Sequence, residues 1–176
     1  MNELIVTKIV FAVIAAALTA FGVYLLTTDA QNLAGREKFA RIRWSAFFPG
    51  LPALLWCVPH AEVVAPDFLL PFLYPIAIIV PIASFFVLDY INARVISGCA
   101  IIAAYEVIHR SFDLAMPLAP VLACYGWVLG FFGIWCSGIP HHFRDIFRLA
   151  AANKKLRITA SIFFFVGAVL LVWSIF

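Results

Sequence analysis

The sequence predicts an all-α integral membrane protein, and this prediction depends on the composition and on the spacing of the apolar runs. The chain of 176 residues is 65% hydrophobic and only 12% charged, whereas soluble domains average about 45–50% apolar and about 25% charged residues. Short polar links separate the apolar runs, and a helical run of about 20 residues spans the hydrocarbon layer. We therefore expect one transmembrane helical-bundle domain over residues 1–176.

Six apolar runs are predicted to cross the membrane. They are residues 4–28, 44–59, 68–90, 94–110, 117–138 and 158–176. The second run is short and has Pro49 and Pro52 near its middle, and Pro81 lies inside the third. Because proline removes a backbone donor and clashes with the preceding helical turn, we expect the second helix to be kinked or broken and the third to be kinked.

The fifth run carries a stripe of small residues at alternating spacings of four and three. Its members are Ala119, Ala123, Gly126, Gly130, Gly133 and Ser137. Small residues let helix backbones approach closely in lipid, where apolar burial does not drive association. Similar stripes over residues 12–22 and 93–104 predict that the fifth helix packs against the first and the fourth. The bulky Trp127, Phe131 and Trp135 are then left for lipid or a partner.

Residues 140–152 are predicted to form a cytoplasmic amphipathic helix that lies on the membrane surface. Ile139, Phe143, Ile146, Phe147 and Ala150 recur at helical spacing and form its apolar face. Charged residues lie on the other face and continue beyond the helix. The basic residues expected to contact anionic lipid headgroups are Arg144, Arg148, Lys154, Lys155 and Arg157.

The distribution of basic residues predicts the orientation. Lysine and arginine favour cytoplasmic loops. If the first, third and fifth links are cytoplasmic, they hold ten of the twelve basic residues and leave only Lys8 and Arg110 on the other side. We therefore predict a protein of a bacterial cytoplasmic membrane, with both termini extracytoplasmic.

A polar cluster at the end of the fourth run is the candidate functional site. Glu106, His109, Arg110 and Asp113 are spaced so that they share one helical face. The second link adds His60 and Glu62 on the same side of the membrane. Ionisable residues inside membrane segments often mark functional sites. The alternative interpretation is a solvated helix end with ion pairs along the helix.

No metal, cofactor or nucleic acid is predicted. Glu106 and His109 have the Glu-x-x-His spacing of carboxylate-bridged metal sites, but such sites need two of these motifs and the chain has one. The four cysteines form no C-x-x-C pair and are interpreted as small apolar residues. A net charge of +3 with scattered basic residues does not indicate binding of nucleic acid.

Three functional hypotheses follow, and the sequence leans against an enzyme. The hydrolase elbow, zinc-protease, nucleotide-loop and dinucleotide motifs are all absent. The first hypothesis is a non-enzymatic subunit or accessory component of a membrane complex, bound to a protein partner or to a second copy. The second is a small transporter or channel for a small or lipid-like solute, built on the kinked second and third helices. The third is a membrane enzyme that uses Glu106 and His109 together with Glu62.

Overall fold

The structure is a computed structural model and describes residues 3–176. These residues are 83% helical and contain no strand. The helices are α1 (Glu3–Leu26), α2 (Leu33–Phe39), α3 (Trp44–Glu62), α4 (Leu73–Val87), α5 (Ile91–Asp113), α6 (Ala119–Gly138), α7 (His141–Ala152) and α8 (Lys154–Ile175). A 3-10 turn, Leu70–Phe72, leads into α4.

Five helical stretches are long and apolar enough to cross a membrane. They are Glu3–Leu26, Leu70–Val87, Ile91–Asp113, Ala119–Gly138 and Lys154–Ile175. The prediction of an all-helical protein is therefore confirmed, as is the prediction of several helices long and apolar enough to cross a membrane, with helix ends shifted from the predicted ones. The remaining predicted segment corresponds to α3, which has 19 residues. α3 is not among the five, and its three prolines, His60 and Glu62 lower its mean hydropathy.

α3 is one continuous helix. It runs through Pro49, Pro52 and Pro59 without interruption, so the structure shows no break at the position where the sequence allowed one. A proline removes only its own backbone donor, and membrane helices tolerate this when neighbouring groups satisfy the freed carbonyls. α4 likewise continues through Pro81.

The bundle is built from three pairs of helices. α5 packs on α6, α1 packs on α8, and α3 packs on both α4 and α5. A single cluster of buried apolar residues joins α1, α5, α6, α7 and α8, with Phe11, Leu122 and Leu171 among its fully buried members. α3 and α4 contribute no residue to this cluster. The α3–α4 hairpin, residues 44–87, therefore lies beside the core and contacts it through α5.

The small stripe of α6 faces α5. A methyl group added at Gly133 would lie 2.7 Å from the Ser97 carbonyl oxygen, and one added at Gly126 would lie 2.7 Å from the Ile108 side chain. At Gly130 the nearest atom would be the Cβ of Ala104, at 3.2 Å. The two backbones thus approach more closely than any larger residue permits. Ala119, Ala123, Gly126 and Gly133 are buried, whereas Gly130 and Ser137 are partly covered.

α1 does not lie beside the α6 stripe. Its own small residues serve α8 instead, since a methyl group added at Gly22 would lie 2.9 Å from the Phe165 ring. α6 reaches α8 through Tyr125, whose ring lies directly over Gly167. The sequence predicted that the fifth helix packs against both the first and the fourth. The small stripe of α6 faces only the fourth, which is α5. Trp127, Phe131 and Trp135 are exposed on the outside of α6.

The apolar face of α7 is covered by protein. Phe143, Phe147 and Ala150 are buried, and the Phe147 ring packs edge-on against Tyr24 of α1 at 5.6 Å between centroids. An interfacial helix would insert this face into lipid. Here the large aromatic residues instead fix α7 across the end of α1, and of the large apolar residues of α7 only Leu149 is exposed.

The N-terminus of α5 is held by the loop that follows α2. The first amides of a helix have no partner within the helix, and here the Ala93 amide donates to the carbonyl of Ala40 at 3.3 Å. The Asn92 side chain donates to the Phe39 carbonyl at 2.8 Å. These bonds fix α2 against the same end of the bundle as α7.

We expect Gly133→Ala to lower stability although alanine is the better helix former. The added methyl group meets the backbone of Ser97, and overpacking typically costs about 1–3 kcal/mol, which exceeds the gain of about 1 kcal/mol in helix propensity. Thermal unfolding in detergent measures the change. Gly98→Ala in α5 is the matched control, because no atom lies within 4 Å of the added methyl group. Equal stability of the two variants would contradict the close α5–α6 contact.

Candidate functional site

A buried carboxylate lies near the C-terminal end of α5. Only 3% of Glu106 is exposed, and its side chain is ion-paired with Arg110, one turn later on the same helix. The spacing of four residues brings the two side chains together on one helical face. The Arg110 Nε donates to one carboxylate oxygen of Glu106. The pair is thus formed within α5 itself.

α3 adds two further groups to the same carboxylate. The Trp56 indole Nε1 donates to Glu106 Oε1 at 2.8 Å, and the His60 Nε2 lies 3.4 Å from that oxygen. Trp56 and His60 are four residues apart, so the continuous helix presents both to α5. Trp56 and His60 share one face of α3 because the helix continues without interruption through its prolines.

α1 completes the arrangement. The Arg110 Nη1 donates to the buried Thr7 hydroxyl at 3.1 Å. Thr7, Trp56, His60, Glu106 and Arg110 together form what we call the Glu106 cluster. It connects α1, α3 and α5 at the end of the bundle where α1 begins and α3 and α5 end.

The remaining predicted site residues lie outside the Glu106 cluster. His109 and Asp113 are exposed and pair with each other, with 3.2 Å between Nε2 and Oδ2. The Tyr105 ring stacks on His109 at 5.3 Å between centroids and meets the edge of His60 at 5.2 Å. Glu62 is exposed and has no ion pair within residues 3–176. The predicted polar face therefore divides into an inner pair and an outer pair.

Trp56 and Thr7 are members of the site that the sequence pattern did not indicate. Trp56 has the interfacial position that aromatic residues favour, which obscures its second role as a hydrogen-bond donor. Its spacing of four residues from His60 is the signal that connects it to the site. Thr7 carries no such signal, because only the tertiary contact of α1 with α5 brings it to Arg110.

The Glu106 cluster is chemically suited to connect helices. The Glu106 carboxylate accepts bonds from Arg110 and Trp56, so its charge is paired and its oxygens are occupied. A buried charge with such partners avoids the large cost of an isolated ion in an apolar medium. The part of the chain that the structure describes contains no group of three histidine, cysteine or acidic residues that could hold a metal ion.

The predicted headgroup contacts lie at the opposite end of the bundle, where two of the arginines pair with acidic side chains. Arg148 bonds to Glu37 of α2, with 2.5 Å between Nε and Oε1. The hydrogen bond from this guanidinium lowers the pKa of Glu37 below its ordinary value. Arg144 pairs with Asp145 at 3.0 Å. The pair between Arg148 and Glu37 holds α7 against α2, and both ion pairs leave less of either arginine side chain for lipid.

Arg157 and the two neighbouring lysines complete this set. Arg157 donates to the Thr28 carbonyl at the end of α1. Lys154 and Lys155 are exposed at the start of α8 and form no ion pair within residues 3–176.

Two apolar cavities flank α3. One, which we call the α3–α4 groove, has a volume of about 360 Å³ and lies between α3, α4 and α5, with Gly50, Pro81 and Gly98 in its wall. The other, the inner cavity, has about 560 Å³ and lies among α1, α5, α6 and α8, with Pro49 at its α3 side. Cys99 lines both.

We expect Glu106→Gln to destabilise the protein by about 2–3 kcal/mol. Breaking a buried ion pair typically costs about 3–5 kcal/mol, and the 20% exposure of the Arg110 side chain reduces this figure. Thermal unfolding in detergent measures the loss, and a Glu106→Gln, Arg110→Gln double variant should recover part of it. The exposed Glu62→Gln is the control, with an expected change within about 0.5 kcal/mol. If Glu106→Gln unfolded like this control, the Glu106 cluster would not connect the helices.

No protein-family model, curated protein or solved structure matches this chain. Three features of the molecule bear on its function: the Glu106 cluster, the position of the α3–α4 hairpin beside the core, and the two cavities.

Proposed function

We propose that the protein is a non-enzymatic subunit or accessory component of a membrane complex, and that a partner membrane protein docks on the α3–α4 hairpin. The observation that carries this proposal is the sparse contact of the hairpin with its own chain. Only 11% of the α4 span is buried, compared with 44% of the α6 span. The buried residues of α4 are Ala77 and Pro81 alone.

Membrane helices need specific contacts to stay associated. Apolar burial contributes little in lipid, so close packing and polar bonds must hold the helices together. α5 and α6 have such packing through Gly126 and Gly133, whereas α4 rests chiefly on α3. A partner helix on the open side of α4 would supply the missing contacts.

The polar groups support a structural role more than a catalytic one. Catalysis by the Glu/His cluster would require His60, Glu62, Glu106 and His109 to face one cleft, with an acid or base within hydrogen-bond reach of a substrate. Glu106 is occupied by Arg110 and Trp56, His109 pairs with Asp113, and Glu62 is exposed elsewhere.

The same proposal includes six membrane crossings, with α3 as the sixth. α3 runs parallel to α5, since Gly50 meets Val95 near one end and Trp56 meets Glu106 near the other. Together with the positive-inside tendency, this favours extracytoplasmic termini, with α7 and the exposed Lys154 and Lys155 at the cytoplasmic surface of a bacterial membrane.

A small transporter or channel is the second candidate, and the cavities favour it. The α3–α4 groove reaches Pro81 and the inner cavity reaches Pro49, two of the prolines at which a solute path was expected. Discontinuous helices line the substrate sites of several carriers, but here α3 and α4 are continuous. The subunit role therefore ranks first.

We expect a photo-crosslinking residue at Ile79 to capture a protein. Ile79 lies on α4 and is 60% exposed. Val169 on α8 is 63% exposed and is the matched control, which should give lipid adducts only. Purification in mild detergent should also yield a stoichiometric complex, and a complex of two identical chains would identify the partner as a second copy. A partner-free monomer with only lipid adducts at Ile79 would contradict the subunit role and favour the transporter.

We expect fusions at the two ends of this chain to report the same side of the membrane. Six crossings place both ends on one side, and the basic residues place that side outside the cytoplasm. Alkaline phosphatase should be active and green fluorescent protein dark at either end. If α3 did not cross, the two fusions would report opposite sides.

A further inference from the structure

The α3–α4 groove has an apolar wall with small residues at its floor. Its lining includes Ala46, Gly50 and Ala53 of α3, together with Val95 and Gly98 of α5. No atom lies within 4 Å of a methyl group added at Gly98. The volume of about 360 Å³ lies in the usual range of small-molecule sites, which are mostly apolar with a few polar groups.

Two arginines lie at one end of the groove. Arg43 and Arg94 both line it. Arg94 uses its Nη1 for the Ser137 carbonyl at 3.0 Å, and its Nε is buried with no hydrogen-bond partner within residues 3–176. Arg43 lies 3.8 Å from Asp89, whose carboxylate is almost fully exposed. Because two guanidinium groups lie near one carboxylate, this end of the groove has a net positive charge, and several N–H donors of the two arginines have no protein acceptor in the part of the chain that the structure describes.

The dimensions of the groove match one leaflet. Its wall on α3 extends from Arg43 to Leu54, which is about 16 Å at about 1.5 Å per residue. Half of the hydrocarbon layer is about 15 Å thick. The arginines lie at the basic end of the bundle, and the apolar part of the groove extends from them toward the middle of the membrane.

We propose that the α3–α4 groove binds one anionic phospholipid. The phosphate contacts Arg43 and Arg94, and one acyl chain lies along the groove over Gly50 and Gly98. Basic pockets between membrane helices on the cytoplasmic side favour anionic headgroups. The site is separate from the basic residues of α7 and α8, and it does not depend on the presence of a partner protein.

The groove fits this ligand better than a neutral lipid or a polar solute. A lipid without a phosphate would offer no acceptor to the two guanidinium groups, and a zwitterionic lipid would bring its own cation close to them. A polar solute would meet no donor beyond the arginine end except the hydroxyl of Ser84. An anionic phospholipid satisfies the charged end and fills the apolar end at once.

Native mass spectrometry of the full chain in mild detergent tests the proposal. Dioleoyl phosphatidylglycerol and dioleoyl phosphatidylcholine are added separately at equal concentration. We expect one phosphatidylglycerol to remain bound, with affinity at least tenfold above that for phosphatidylcholine. The double variant Arg43→Gln, Arg94→Gln should remove this preference, since each arginine near a phosphate contributes to the attraction. The control, Lys38→Gln on the exposed side of α2 at the same end of the bundle, should retain it.

A second variant tests the acyl-chain part and does not alter the arginines. Gly98→Phe places a ring in the open space of the groove and should lower binding of phosphatidylglycerol about tenfold. Val169→Phe on the exposed side of α8 is its matched control and should bind as the wild type does. Equal binding of the two lipids, or unchanged binding after either the arginine or the Gly98 substitution, would overturn the proposal. If the arginine variant does not fold, the lipid preference and Gly98→Phe together decide it.

Discussion

The close approach of α5 and α6 is the constraint on which the rest of the molecule depends. Gly126 and Gly133 remove the side chains that would separate the two backbones, and in lipid such packing must replace the apolar driving force of a soluble core. Once α6 covers one face of α5, the opposite face is left for α3. The Glu106 cluster then connects α5 to α3 and α1 through polar bonds. Steric fit thus holds one side of the central helix, and hydrogen bonds hold the other.

The polar contacts lie at the two ends of the bundle, and they differ in character. At one end the buried Glu106 carboxylate accepts bonds from α3 and α5, and its partner Arg110 donates to Thr7 of α1. At the other, exposed or half-buried ion pairs such as Glu37 with Arg148 hold the short helices α2 and α7 in place. Between these ends the helices contact each other through apolar and small residues. A bilayer requires this arrangement, because unpaired charge is costly in its centre and tolerable near its surfaces.

The α3–α4 hairpin is the part of the molecule with the fewest contacts, and all the functional proposals concern it. It contributes nothing to the main apolar cluster, yet Trp56 and His60 connect it to α5 at one end. At the other end, Trp44 of α3 packs against Phe85 of α4 within the hairpin, with 5.0 Å between centroids. Such a hairpin can accept a partner helix or a lipid without disturbing the α5–α6 pair.

Composition and spacing by themselves determined the all-helical class, five helices long and apolar enough to cross a membrane, and the face of α5 that carries Glu106 and Arg110. These features depend on local sequence and on the thickness of a bilayer. The tertiary structure alone decided which helices meet. α1 and α5 carry similar stripes of small residues, so the sequence could not show which of them packs against α6. The Tyr125 ring over Gly167 shows that α6 also meets α8, through a bulky residue. The periodicity of apolar residues revealed the apolar face of α7, but periodicity does not show whether lipid or protein covers that face. Thr7 and Trp56 joined Glu106 only through contacts between helices distant in sequence, which no local pattern encodes.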